Sequence, residues 1–162
     1  MMMMTSPSLT NNNYTQQYAE EQIKTASKEQ LLIMLFDGAI KFARIAKKAM
    51  LAKDLEKSNT NLIKAQRIIT EFMVTLDVKQ GGETATNLMR LYEFYYHSLV
   101  QANLKKDTNL LEEIIQQLVD MRQMWFEATQ IAAKERKLSN TTAEQYQQAV
   151  ASANAKAVFR HA

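Results

Sequence analysis

Two histidines, no cysteine and one Gly-Gly pair are where chemistry could start in this 162-residue chain. A carboxylate-bridged metal pair inside a helical bundle needs two Glu-x-x-His motifs facing inward. His97 falls beside Arg90 and Gln101 on the polar side of its helix, and His161 lies at the far end of the chain. Gly81-Gly82 is followed by Glu83 and Thr84, without the G-x-x-x-x-G-K-[ST] pattern whose backbone amides cradle phosphates, so it reads as an interhelical turn. Without cysteine there is no thiolate nucleophile and no Cys-ligated zinc or iron–sulfur centre. No histidine-based triad is visible either. The expectation is a protein that binds rather than catalyses, with no cofactor and no metal.

The elements that would do the binding are helical. Apolar residues make up 46% of the chain against three Gly and one Pro, a composition that points to an all-α domain with a sizeable core. No apolar run reaches 18 residues, and "MMMMTSPSLTNNNYTQQY" lacks a basic n-region and a long apolar h-region, so a soluble, cytoplasmic protein without membrane insertion is expected. The net charge is +3. Lys41, Arg44, Lys47, Lys48 and Lys53 form one basic concentration without interleaved aromatics, which reads as a solvated helix face rather than a nucleic-acid surface.

"LLIMLFDGAIKFARIAKKAM", residues 31–50, has the outline of a β-hairpin turning at Asp37-Gly38. The residues after the turn do not alternate, however. At helical spacing Leu31, Leu32, Leu35, Ala39, Phe42, Ala46, Ala49 and Met50 form one stripe, opposite Asp37, Lys41, Arg44 and Lys48. The segment is therefore a helix, opened by a Ser27-x-x-Gln30 capping box. Gly38 in its middle costs roughly 1 kcal/mol relative to Ala, which predicts a close approach there.

Three more amphipathic helices follow. One spans roughly residues 55–76 with Asp54 as N-cap, one roughly 84–105 after the loop "DVKQGGET", and one roughly 109–137 capped by Asp107 or Thr108. Short connections force each to reverse, which predicts an antiparallel four-helix bundle. Residues 1–24 read as a flexible leader able to cap a groove, 25–137 as the bundle, and 138–162 as a low-complexity tail in which Thr141 with Glu144 could open an extra C-terminal helix.

The helices carry more apolar surface than one inward stripe uses. Ile33, Phe36 and Ile40 make a second strip on the first bundle helix, about 100 to 160° from the first. Met89, Tyr96 and Val100 repeat it on the third helix, and Ile63 and Val74 on the second. A wider core closed by leader or tail, or a homodimer interface, would account for any single strip. Recurrence on consecutive helices favours a groove for an amphipathic partner, which Tyr14, Tyr18 and Ile23 of the leader could cover when it is empty.

Long stretches then carry a resemblance. "TASKEQLLIMLFDGAIKF", "LIKAQRIITEFMVTLD", "GGETATNLMRLYEFYYHSLVQANLKKD" and Trp125 closely resemble the flagellar secretion chaperone FliS family, in order, over roughly residues 14–130. Lys28 stands where many members have Pro, and the tail beyond about residue 138 has no family counterpart. The resemblance implies an antiparallel four-helix bundle that binds the disordered C-terminal segment of flagellin in the cytoplasm. It also implies that the chaperone blocks premature polymerisation and hands its client to a component of the flagellar type III export gate. Tyr14 and Ile23 match leader positions that cover part of the client groove until flagellin displaces them.

Overall fold

The computed structural model describes residues 8–160; side chains are described from residue 15 to 156, apart from 23 and 25. The described residues form five helices and no strand: α1 (Ser8–Thr25), α2 (Lys28–Leu51), α3 (Leu55–Thr75), α4 (Val78–Lys105) and α5 (Thr108–Arg160).

The boundaries follow from local capping. The Ser27 hydroxyl accepts the Gln30 amide at 3.2 Å while the Gln30 side chain accepts the Ser27 amide at 3.0 Å, the reciprocal box expected from the sequence. Asp54 accepts from the Lys57 amide, and Asp107 from the amides of Asn109 and Leu110. Helix ends are equally specified. At the end of α2 the Lys53 amide donates to Met50 and the Asp54 amide to Ala49; at the end of α4 the Lys106 amide donates to Asn103 and the Asp107 amide to Ala102. Both are Schellman closures, and in both a lysine takes the left-handed position usually given to glycine, with φ of 58° at Lys53 and 52° at Lys106.

Two boundaries differ from expectation. Asp77 accepts from the amides of Lys79 and Gln80, so helix starts inside the predicted 77–84 loop and is broken at Gly82, whose φ of 60° and ψ of −139° suit glycine. Thr141 opens no new helix: its hydroxyl donates back to the Lys137 carbonyl, as that of Thr142 does to Leu138, and α5 continues through.

Packing shows the bundle's directions. Phe36 stacks near Phe72 with ring centroids 4.6 Å apart, and Lys64 lies over the Phe42 ring, so α2 and α3 run antiparallel. Between these contacts a Cβ on Gly38 would meet Ile68 Cδ1 at 3.1 Å, the close approach that the mid-helix glycine foretold. Phe72 stacks on Tyr92 at 5.3 Å and Asn59 bonds Asn103, which makes α3 and α4 antiparallel. Lys47 pairs with Glu112 and Asp37 with Arg122, both at 2.8 Å, so α2 and the opening of α5 also run antiparallel. The core is filled by Phe36, Leu62, Ile69, Leu99, Leu111, Ile114, Ile115 and Leu118, with the small Ala39, Ala43, Ala46 and Ala49 along α2.

The chain divides into two compact units at Arg122/Gln123. The first holds this bundle. In the second, up to residue 156, all side chains except the partly covered Trp125, Thr129 and Ala132 are exposed.

Candidate interaction surface

The inner face of α4 is Tyr92, Tyr95, Leu99 and Ala102, all buried. A helical wheel places Met89, Tyr96 and Val100 about 100° to one side of it, together with Asn103. Asn103 donates to Asn59 at 2.7 Å, so this is the flank that α4 turns towards α3. On α3 the matching flank, shared with Asn59, carries Ile63 and Val74. The register fixed by the Asn59–Asn103 and Phe72–Tyr92 contacts then sets Ile63 across from Val100 and Val74 across from Met89, with Tyr96 between them. Five apolar side chains from two helices thus border one seam, in which Val74 is 74% exposed and the other four are partly exposed. The Tyr96 ring meets His97 edge-on with centroids 5.7 Å apart.

The α2 strip does not join this seam. Phe36 and Ile40, expected on the outside, are interior: Phe36 is fully buried and Ile40 is 6% exposed. The buried face of α2 is rotated by roughly 50° from the expected stripe, towards Phe36, Ile40 and Ala43. Leu31, Leu32, Leu35 and Phe42, assigned inward, are correspondingly only half-buried. Phe36 is drawn in because Phe72 and Tyr92 offer it a stack, whereas Phe42 lies beneath the Lys64 ammonium. Ile33 is partly exposed on the flank that α2 shares with Asp37, which pairs with α5, and so lies away from the α3–α4 seam.

Of the expected leader residues, Tyr18 is 65% exposed and so covers nothing closely, while the side chains of Tyr14 and Ile23 lie outside the described residues. Three leucines escaped the sequence reading: Leu51, Leu55 and Leu104 are 67%, 55% and 74% exposed at the helix reversals. Their signal was their position, since each adjoins a capped turn where an inward stripe has ended.

Electrostatics around the bundle are structural. The Lys47 ammonium and the Gln116 amide hold the exposed Glu112 carboxylate below its usual range. Burial, helped by Tyr92 and Asp120, pushes the Tyr95 phenol up to about 12. Among the described residues no group of three or more His, Asp and Glu side chains could hold a metal ion, and no helix is long and apolar enough to cross a membrane.

Comparison with known proteins follows this geometry. The family profile described as Flagellar protein FliS matches residues 10–132. The chain is 39% identical over 125 residues to the flagellar secretion chaperone FliS of Bacillus subtilis (strain 168), covering 77% of this chain and 92% of that one. It is 36% identical over 113 residues to the flagellar secretion chaperone FliS of Salmonella typhimurium (strain LT2), covering 69% and 84%. A solved structure titled "Crystal structure of flagellar chaperone from bacteria" superposes with a TM-score of 0.60 at 18% identity, over 74% of this chain and 98% of that one, which supports the fold. A four-helix core with FliS sequence along nearly all of it places this chain in the FliS family of flagellar secretion chaperones.

Proposed function

We propose that the α3–α4 seam holds the disordered C-terminal segment of flagellin, with Ile63, Val74, Met89, Tyr96 and Val100 as its apolar anchors. The chain is a flagellar export chaperone by family, not an enzyme. The observation that carries the seam reading is the register: two helices contribute anchors at matched positions along one line, where chance surface residues would scatter. A segment laid there orders as it binds, and the stiff bundle beneath adds no ordering cost of its own. Held in this way in the cytoplasm, flagellin is kept from polymerising until it passes to a component of the export gate. Tyr14 and Ile23 are the leader positions that would compete for client surface.

Isothermal titration with a peptide of the flagellin C-terminal segment tests the site. Tyr96→Asp should weaken binding by about tenfold or more, because a carboxylate is desolvated against the client, while helical circular dichroism stays intact. Unchanged affinity in both Tyr96→Asp and Val100→Asp would remove the seam as the client site.

A further inference from the structure

The rotation of α2 leaves Leu31, Leu35, Phe42 and Ile45 partly exposed. With Gly38 they recur at residues 31, 35, 38, 42 and 45, the alternation of four and three that draws a nearly straight line along a helix. That line faces α3. Lys64 lies over the Phe42 ring, and the place of the side chain that Gly38 lacks is bordered by Cδ1 of Ile68, itself partly exposed. Ile68 stands about 180° round α3 from Asn59, the residue that turns towards α4, so the body of α3 separates this line from the α3–α4 seam. Exposed cations border the line on both sides: Lys41 and Lys48 on α2, Lys57 and Lys64 on α3, with Arg67 on the outer ridge of α3. Carboxylates are fewer. Glu71 lies on the α3 flank and Glu56 on the ridge with Arg67, while Asp37 is paired with Arg122 and Asp54 with a backbone amide.

We propose that the α2–α3 line receives an acidic amphipathic helix of a partner protein, distinct from the client segment on the seam. Spacing sets the kind of partner: a four-three repeat is matched by a helix lying alongside, whose own apolar stripe packs on Leu35, Phe42, Ile45 and Ile68. Charge sets its sign. Glu and Asp on the two flanks of such a helix meet Lys41 and Lys48 on one side and Lys57 and Lys64 on the other. A second copy of the same face is repelled by these cations, and a nucleic acid leaves the apolar line unused, since the Phe42 ring lies under Lys64 rather than open to a base.

The test is fluorescence anisotropy of the full chain with a designed helical peptide of about 18 residues, carrying Leu at the four-three spacing and Glu on both flanks. It should bind at least about tenfold more tightly than a scrambled peptide of the same composition, and than one with Lys in place of Glu. Lys41→Glu/Lys48→Glu should weaken binding about tenfold, and Ile45→Asp likewise. Both variants change α2 alone, so helical circular dichroism and titration with the flagellin C-terminal peptide should stay as in wild type, just as Tyr96→Asp should leave the designed peptide bound. Equal binding of the scrambled peptide, or wild-type affinity in the lysine variant, overturns the proposal. Displacement of the designed peptide by the flagellin peptide also overturns it, because the line then belongs to the client site. Tighter binding of a single-stranded DNA of similar length overturns it in favour of a nucleic-acid surface.

Discussion

Neighbouring tyrosines on α4 have opposite fates. Tyr95 is 3% exposed among the core residues, while Tyr96, one position on, is partly exposed on the seam. A single step of 100° separates a side chain that holds the fold together from one free to hold something else. The lesson is that aromatic bulk in this helix serves two ends at once. Inside, Tyr92 extends the Phe36–Phe72 pair and Tyr95 is buried beside it in the same face of α4, while Tyr96 leaves a large, stiff ring partly exposed on the seam.

Breaking the inner side should have the largest consequence. Phe36→Ala removes a fully buried ring from the stack and should cost about 3–5 kcal/mol of stability, measured by urea unfolding; an outer position such as Val100→Ala should cost about 1 kcal/mol or less. The reversal that follows α4 gives a smaller, opposite effect. Lys106 sits at a φ of 52°, where a Cβ is strained, so Lys106→Gly should raise stability by about 1 kcal/mol in the same assay.

Alkali sharpens the contrast further. Tyr95 keeps its proton up to about 12 in the folded chain, above the ordinary phenol value of 10.0, so the folded state binds more protons between these values. Stability should therefore hold below about pH 10 and fall as pH rises towards 12, and Tyr95→Phe should flatten that limb in denaturation followed against pH. The smallest effect belongs to the end of α5. Truncation after Lys137 removes residues exposed throughout their described length, and should change the bundle's unfolding free energy by less than about 0.5 kcal/mol.

The boundaries of the bundle helices were legible because they are set by local chemistry. Ser27, Asp54 and Asp107 cap from within a few residues, and such rules need no knowledge of the rest of the molecule. The rotation of α2 was not legible. Leu31, Leu35 and Phe42 form as good a stripe as Phe36, Ile40 and Ala43, and the choice between them is made by Phe72 and Tyr92, far away in sequence. The seam on α4 was readable because Met89, Tyr96 and Val100 lie well off a stripe already filled by Tyr92, Tyr95 and Leu99. At Thr141 a residue that usually starts helices was read as a start, but its hydroxyl can also fold back on a preceding carbonyl within a continuing helix.

The dipeptide Lys-Asp, used twice, closes one helix with its first residue and opens the next with its second. Such joints contain no slack. Helices hinged in this way are held together at that end, so a client seated on the proposed seam would ride on the outside of the bundle and could leave without the carrier having to unfold.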